Sequence, residues 1–217
     1  ELGVPFSDPL ADGPTIQRAS QRALKKKVNL DSIFSLVESL RERSQMPIVL
    51  MTYYNPVYNY GVNKFVKDAK RAGVDGVIVP DLSPEESAEL TSASKRDNFH
   101  TIFLVAPTST KERIRLISSK SKGFIYYVSL TGVTGARKDL PMHIKKHIKS
   151  IKRLTNKPVC VGFGISNPAQ VKRLSRFCDG VIVGSAIINR LERYIPNEDR
   201  IVKKTADFVK SLVKEVR

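Results

Sequence analysis

Three carboxylates stand close together at the start of the chain, in a pattern that suits acid–base chemistry. Glu1 opens a short apolar run, and Asp8 and Asp12 follow in a loop that Gly13-Pro14 closes before a predicted helix. In α/β enzymes, the loops after parallel strands present charged groups at the carboxyl edge of the sheet. A carboxyl group there can transfer a proton or stabilise positive charge. The same pattern also fits a surface turn in which Asp caps a helix.

Glycine-bearing turns form the second group of candidates. They occupy residues 129–137, 162–166 and 184–186, and each follows a predicted strand. Glycine lets backbone N–H groups approach a phosphate closely, and a helix beginning at Ser185 would direct its positive end to the same place. Any one of these turns alone would also fit a tight loop. Because two of them follow consecutive strands, the sequence predicts a phosphate ester as ligand.

Short runs rich in β-branched residues alternate with longer amphipathic stretches along the whole length. The runs are continuously apolar rather than alternating, which is typical of parallel strands covered on both faces. The predicted strands are residues 2–6, 48–53, 76–80, 101–105, 124–129, 158–162 and 180–183. The main predicted helices are residues 30–42, 62–72, 84–95, 111–119, 141–154, 168–175 and 202–216.

This order of elements predicts an α/β fold. Seven strands, each followed by a helix, indicate a (β/α)8 TIM barrel that lacks its first βα unit, since a closed barrel needs eight strands in about 250 residues. We expect residues 1–217 to form a single TIM-barrel domain, incomplete at the N-terminus. An open doubly wound sheet is the alternative, but no Gly-x-Gly-x-x-Gly turn follows an early strand.

Composition narrows the class of protein further. No apolar run approaches the roughly 18 residues that a membrane span requires. The net charge of +16 raises the possibility of a nucleic-acid partner. However, the Lys and Arg residues recur at helical spacing, which favours solvated helix faces, so no nucleic acid is predicted. Cys160 and Cys178 lack C-x-x-C or metal spacing and read as buried thiols in a reducing cytoplasm.

Aromatic and histidine pairs give weaker signals. Tyr126 and Tyr127 are adjacent on one strand, so one should face the barrel interior and the other the helices. The same reasoning applies to Tyr53 and Tyr54. His143 and His147 share a helical face, but no third ligand is evident, so no metal site is predicted.

Taken together, the motifs resemble the α subunit family of tryptophan synthase. They run in the expected order along nearly the entire chain: ELGVPFSDPLADGPTIQ, MTYYNPVYNYG, AGVDGVIVPDL, VAPTST, YVSLTGVTGAR, VGFGIS and DGVIVGSAII. The resemblance implies an eight-stranded barrel that cleaves indole-3-glycerol phosphate to indole and glyceraldehyde 3-phosphate.

The resemblance assigns the catalytic roles to the acidic motif. Glu1 matches the family's catalytic glutamate and Asp12 its catalytic aspartate. A retro-aldol cleavage needs the indole C3 protonated and the side-chain hydroxyl deprotonated, and one carboxyl group can do both. Asp12 would stabilise the positive charge that develops on the indole nitrogen.

The resemblance also implies the remaining site residues. Thr134 matches the loop residue that hydrogen-bonds the catalytic aspartate when the site closes. The phosphate-binding positions are Gly135, Gly164, Gly184 and Ser185. The wall of the substrate pocket comprises Met51, Tyr53, Ile78, Leu104, Tyr126 and Phe163, for which a purely core role fits equally well.

A β subunit is the implied partner, in an α2β2 assembly that contacts residues 5–9 and 131–137. Pyridoxal phosphate belongs to that subunit in the family, and we expect no cofactor in this chain. Since the first strand–helix unit has no counterpart here, we expect this 217-residue piece alone to be poorly stable and nearly inactive.

Three alternatives remain open from the sequence. The first is a free-standing indole-glycerol-phosphate lyase that works without a β subunit. The second is another phosphate-binding barrel, an isomerase of histidine or tryptophan biosynthesis, which would share the glycine turns but not require the acidic motif. The third is a non-catalytic basic binding module.

Overall fold

The computed structural model describes residues 1–128, 142–162, 164–195 and 197–216. The chain divides into two compact units, each built from parallel strands and helices. The first unit comprises Glu1–Phe103 with Ser119–Gly123, and the second comprises Leu104–Ser118 with Phe124–Arg217.

The first unit contains a four-stranded parallel sheet in the order β1-β2-β3-β4. The strands are β1 (Leu2–Gly3), β2 (Val49–Met51), β3 (Gly76–Ile78) and β4 (His100–Ile102). The helices are α1 (Pro14–Lys25), α2 (Leu30–Arg41), α3 (Tyr54–Tyr60), α4 (Val62–Ala72) and α5 (Ala88–Arg96).

The core of the first unit forms where α4 covers the sheet. Phe65, Val66 and Ala69 recur at helical spacing on α4 and are fully buried. They belong to the same apolar cluster as Leu50 of β2 and Val77 of β3, which are also fully buried. Burying one large apolar side chain stabilises a fold by about 1.5–3 kcal/mol, so this cluster holds α4 against the sheet.

The second unit contains a four-stranded parallel sheet in the order β5-β6-β7-β8. The strands are β5 (Leu104–Val105), β6 (Ile125–Val128), β7 (Val159–Gly162) and β8 (Gly180–Ile182). The helices are α6 (Lys111–Lys120), α7 (Met142–Lys152), α8 (Pro168–Leu174), α9 (Ser185–Glu192) and α10 (Glu198–Val213). The last two residues of α6 belong to the first unit.

The predicted strands all occur, and most are shorter than predicted. The predicted strand at 101–105 is interrupted at Phe103, so that β4 pairs with β3 and β5 pairs with β6. The Phe103 N–H donates instead to the hydroxyl of buried Ser121, at 3.1 Å. A side chain therefore satisfies the backbone group at the interruption.

One helix begins later than predicted and one was missed. The Ser83-Pro84 signal predicts a helix from residue 84, but α5 begins at Ala88 and residues 84–87 form turns. Ser83 and Glu86 close the first turn by a side-chain hydrogen bond of 2.8 Å. The helix α3 carries no recognisable start signal of its own. Its first N–H, at Tyr54, donates to the carboxylate of Asp81 at 2.9 Å.

An Asp-Gly-Val-Ile-Val sequence occurs once in each unit, at 75–79 and at 179–183. In the first unit, the Asp75 carboxylate accepts the Ile48 N–H next to β2, at 2.7 Å. Arg41 at the end of α2 donates to the same oxygen at 2.7 Å. This aspartate therefore ties the start of β2 to the helix that precedes it.

The second copy makes the same type of contact. The Asp179 carboxylate accepts the Val159 N–H at the start of β7, at 2.9 Å, and Lys152 at the end of α7 donates to it at 2.6 Å. Desolvation would raise the pKa of Asp179, but the hydrogen bonds from Lys152 and Val159 hold it below the ordinary value of 3.8. Because this pKa is lowered, the ionised carboxylate stabilises the fold fully at pH values above the ordinary pKa. It loses that contribution as the pH falls through the lowered pKa.

We expect Asp75→Ala and Asp179→Ala each to lower the free energy of unfolding by about 2 kcal/mol, because each leaves a backbone N–H without its acceptor. Urea unfolding followed by circular dichroism measures this. The matched control is Glu38→Ala, which changes an exposed carboxylate on α2 and should cost less than about 0.5 kcal/mol. Equal stability of all three variants would show that Asp75 and Asp179 do not stabilise the fold through these backbone contacts.

None of the helices in the described ranges combines the length and the apolar character that a membrane crossing needs.

Candidate active site

Glu1 lies directly before β1 in the first unit. The strand is held against β2, and Val4 beyond it donates its N–H to the Met51 carbonyl at 2.9 Å. The residue as a whole is exposed, but desolvation of its carboxyl group raises the pKa above the ordinary value of 4.5. The raised pKa favours the protonated form, which can serve as a proton donor.

Asp12 lies in the loop between β1 and α1, and this loop is held at two points. The Ala11 N–H donates to the Tyr53 hydroxyl at 2.9 Å, and the Gln17 side chain of α1 donates to the Asp12 carbonyl at 2.8 Å. The ring of Tyr53 packs against Phe6, with centroids 5.5 Å apart. Tertiary contacts rather than regular secondary structure therefore fix the loop.

The Asp12 carboxyl group is half-buried. Desolvation raises its pKa above the ordinary value of 3.8, and a hydrogen bond from the Tyr53 hydroxyl partly offsets that rise. Desolvation also raises the pKa of Tyr53, and the charges of Asp12 and Asp81 add to this shift. The Asp12 carboxylate and the Tyr53 phenol thus share a partly desolvated environment near the end of β2.

Ile78 and Tyr53, two of the predicted pocket-wall residues, lie at the ends of β3 and β2. Ile78 is fully buried and Tyr53 is 5 % exposed. The burial of Ile78 is equally compatible with a core role, which the sequence left open.

In the second unit, Tyr126 packs across β7. A side chain at Gly162 would overlap the Tyr126 ring, so the glycine makes room for it. The neighbouring Tyr127 is fully buried, and its hydroxyl lies 3.3 Å from Nδ1 of His147 on α7. The two tyrosines thus point to opposite faces of the sheet, as the sequence predicted.

The glycine turns after β7 and β8 differ in conformation. Gly164 is exposed and has φ of 74°, a left-handed backbone that favours glycine. The Ser166 N–H beyond it donates to the Gln170 side chain at 2.7 Å. Gly184 precedes α9, whose first residue is Ser185; both are exposed, and the space around the Gly184 α-carbon is open. An exposed helix start of this kind offers backbone N–H groups to an anion.

Three predicted site residues, Thr134, Gly135 and Phe163, lie outside the described residues, as does most of the turn at 129–137. The side chain of His143 is also not described. Within the described ranges, His, Cys, Asp and Glu side chains form no group of three that could hold a metal ion.

The contact between Tyr53 and the acidic loop is the feature that sequence reasoning missed. Its position at a strand end indicated a pocket-wall residue, whereas its hydroxyl accepts the N–H of Ala11, 42 positions earlier in the chain. No local signal in the sequence links Tyr53 to that loop. Asp81, which follows β3, is a second missed residue, since it holds the N-terminus of α3.

We expect Gly162→Ala to displace the Tyr126 ring and to lower the free energy of unfolding by about 1–3 kcal/mol, the usual cost of overpacking. Thermal unfolding measures the stability, and near-ultraviolet circular dichroism reports on the tyrosine environment. The control is Gly3→Ala, where no atom lies within 4 Å of the added carbon. Equal melting temperatures of the two variants would contradict the packing of Tyr126 against Gly162.

Comparisons with known proteins extend over the full chain. Residues 1–217 match the family model described as tryptophan synthase alpha chain. The tryptophan synthase alpha chain of Thermoanaerobacter sp. (strain X514) is 48 % identical over 216 residues, which cover 100 % of this chain and 81 % of the relative. The corresponding chain of Geotalea daltonii is 50 % identical over 198 residues, covering 91 % of this chain and 75 % of the relative.

Solved structures agree with this match. Tryptophan synthase subunit alpha from Legionella pneumophila str. Paris superimposes with a TM-score of 0.91 at 34 % identity, covering 99 % of this chain and 80 % of that one. A chain of the tryptophan synthase α2β2 complex from Pyrococcus furiosus gives a TM-score of 0.90 at 40 % identity, covering 98 % and 85 %. The predicted fold class, an α/β TIM barrel, is thereby confirmed. The chain belongs to the tryptophan synthase alpha chain family, the lyases that cleave indole-3-glycerol phosphate in the biosynthesis of tryptophan.

Proposed function

We propose that Glu1 and Asp12 are the catalytic carboxylates with which this chain cleaves indole-3-glycerol phosphate. The observation that carries the proposal is the loop between β1 and α1, in which the Tyr53 hydroxyl accepts the Ala11 N–H directly beside the half-buried Asp12. The raised pKa of Glu1 supports a role as proton donor, because a carboxyl group that keeps its proton to higher pH is the better acid near neutrality.

The reaction needs two proton transfers, and Glu1 performs both. Its carboxylic acid first protonates C3 of the indole ring, and the nitrogen lone pair forms a carbon–nitrogen double bond that leaves a positive charge on the nitrogen. The resulting carboxylate then removes the proton of the hydroxyl on the carbon attached to C3. As that carbon becomes the aldehyde of glyceraldehyde 3-phosphate, the carbon–carbon bond breaks and its electrons return to the ring, giving indole.

Asp12 stabilises the intermediate between these two transfers. Its carboxylate accepts the N–H of the protonated indole, where the positive charge develops. A fixed carboxylate in a partly desolvated site is worth more than the same group in water, because less solvent screens the attraction.

The phosphate of the substrate binds to the exposed turns of the second unit. Gly164, Gly184 and Ser185 offer backbone N–H groups, and the positive end of α9 begins at Ser185. The family resemblance assigns Thr134 to Asp12 and Gly135 to the phosphate. It assigns Tyr53, Ile78, Tyr126 and Phe163 to the wall of the substrate pocket.

A tryptophan synthase β subunit is the proposed partner. The Pyrococcus furiosus relative is described in a tryptophan synthase α2β2 complex in which the subunits activate each other, and it is 40 % identical to this chain. The partner receives indole and contacts residues 5–9 and 131–137. We propose that both subunits are located in the cytoplasm.

Indole release tests the proposed function. The full-length protein is given indole-3-glycerol phosphate, and indole is measured by chromatography with and without a β subunit. We expect equal amounts of indole and glyceraldehyde 3-phosphate, with faster release when the β subunit is added. Release at the same rate with and without it would favour the free-standing lyase, and an isomerised product without indole would favour the phosphate-binding isomerase.

A further inference from the structure

The turn after β7 is held by a side chain of the helix that follows it. The Ser166 N–H donates to the side-chain oxygen of Gln170 at 2.7 Å, and the Ser166 hydroxyl lies 3.3 Å from the same oxygen. An amide oxygen can accept two hydrogen bonds, whereas the amide nitrogen can only donate. The side-chain oxygen of Gln170 therefore faces the turn.

This contact differs from an ordinary helix cap. The N-cap of α8 is Asn167, whose side chain accepts the Gln170 N–H at 3.0 Å. In a capping box, the third helical residue returns a hydrogen bond to the N–H of the N-cap residue. Gln170 is that third residue, but its side chain reaches one position further, to Ser166. The hydrogen bond thus holds the turn as well as the start of the helix.

The contact completes the anchoring of the residues that follow Gly164. Ile165 is 6 % exposed, and Ser166 is held by Gln170. Gly164 itself is exposed, with a left-handed φ of 74°. Within the part of the chain that the structure describes, neither Gly164 nor Ile165 donates its N–H to an acceptor. An ordered glycine turn with such N–H groups can bind an anion without the entropic cost of ordering the turn on binding.

An amide at position 170 also suits an anionic ligand. A glutamate could accept the same hydrogen bond, but its negative charge would repel a phosphate. Glutamine accepts the bond without a net charge, and the first turn of α8 contains no acidic residue. The turn is therefore held without adding negative charge beside it.

We propose that Gln170 is a positioning residue for the cleavage of indole-3-glycerol phosphate. Its side-chain oxygen fixes the turn at 164–166, so that the Gly164 N–H is oriented for the phosphate of the substrate. The inference rests on the proposed binding of that phosphate by Gly164. Gln170 acts through the backbone of the turn and takes no part in the proton transfers.

The test compares Gln170→Met with Gln21→Met in the full-length protein. Methionine has nearly the same length as glutamine but no oxygen that could accept the Ser166 N–H. Gln21 is an exposed residue of α1, so its replacement controls for the substitution itself. The measurements are amide hydrogen exchange at Ser166, the dissociation constant of inorganic phosphate from the Gly164 amide NMR signal, and the kinetics of indole release.

For Gln170→Met, we expect hydrogen exchange at Ser166 to become about tenfold faster, because the amide loses its acceptor. The dissociation constant of phosphate and the KM for indole-3-glycerol phosphate should each rise about fivefold, the scale of one hydrogen bond. We expect kcat to change less than about twofold, because the phosphate lies away from the bond that breaks. Gln21→Met should match the unmodified protein in all three measurements.

Two further comparisons separate positioning of the phosphate turn from a general structural role. Indole-3-glycerol, which lacks the phosphate, should be cleaved with equal kcat/KM by Gln170→Met and the unmodified protein. A loss of the same size with both substrates would overturn the proposal. Gln170→Glu keeps an acceptor of nearly the same shape, so slow exchange at Ser166 should return. Exchange as fast as in Gln170→Met would show that the side-chain oxygen does not hold the turn.

The phosphate titration distinguishes failure of this inference from failure of the proposed function. If phosphate shifts the Gly164 signal of the unmodified protein and binds Gln170→Met equally tightly, the phosphate site stands and the positioning role is overturned. If phosphate leaves the Gly164 signal of the unmodified protein unchanged, Gly164 is not a phosphate ligand. Both the proposed phosphate site at this turn and the role of Gln170 are then wrong.

Discussion

Replacing Glu1 by Gln in the full-length protein should lower kcat for indole release by about a thousandfold. Gln has nearly the same shape but cannot carry the proton that must reach the indole C3 and then leave the side-chain hydroxyl. General acid–base groups contribute between about a hundredfold and ten-thousandfold to such reactions, and Glu1 serves in both transfers. Steady-state indole formation measures the loss.

Binding should survive this substitution. We expect the dissociation constant of indole-3-glycerol phosphate, measured by calorimetry, to change less than about threefold, because the lost interaction acts in the transition state. The matched control, Glu38→Gln, replaces an exposed carboxylate on α2 and should leave kcat unchanged. Full indole release by Glu1→Gln would show that a group other than Glu1 transfers these protons.

Replacing Asp12 by Asn should lower kcat by about a hundredfold. The amide can still accept a hydrogen bond, but it removes the negative charge that faces the developing positive charge on the indole nitrogen. Loss of one fixed electrostatic partner of this kind typically costs a hundredfold to a thousandfold. Asp97→Asn, at the end of α5, provides the control for changing a carboxylate elsewhere in the same unit.

The pH dependence separates the two carboxylates. The pKa of Asp12 is raised and its charged form is active, so kcat should fall as the pH drops through a value above 3.8. The pKa of Glu1 is also raised and its protonated form starts the reaction, so kcat should fall as the pH rises through a value above 4.5. Asp12→Asn should abolish the acid limb only; retention of that limb would assign it to another group.

Much of this architecture could be predicted because its signals are local. The strands β2, β3 and β7 are short apolar runs, and α4 carries its buried face at helical spacing, so each is recognisable within a few residues. The acidic loop could be recognised for the same reason, since Glu1, Asp8 and Asp12 lie within one strand–loop unit.

The elements that could not be predicted depend on distant partners. The helix α3 begins at Tyr54 because Asp81, 27 residues later, accepts its first N–H. Without that carboxylate, the sequence Tyr-Asn-Pro-Val-Tyr-Asn-Tyr gives little reason to expect a helix. The Ser83-Pro84 pair is a typical signal for the start of a helix. In this chain Ser83 instead closes a separate turn with Glu86, and α5 begins only at Ala88.

The same distinction holds for the candidate site. Residue type and position placed Tyr53 at the end of a strand, but its hydroxyl partner Ala11 is 42 residues away in the chain. Periodicity says which residues are buried and not which groups their polar atoms meet. The contact between this hydroxyl and the acidic loop is therefore visible only in the structure.

The most direct test of the catalytic assignment is a crystal structure of the full-length Glu1→Gln protein with indole-3-glycerol phosphate bound. We predict an Asp12 carboxylate oxygen within about 3 Å of the indole nitrogen, and the residue 1 side chain next to C3 and the adjacent hydroxyl. An indole nitrogen that meets no carboxylate, with Asp12 turned to solvent, would contradict the account.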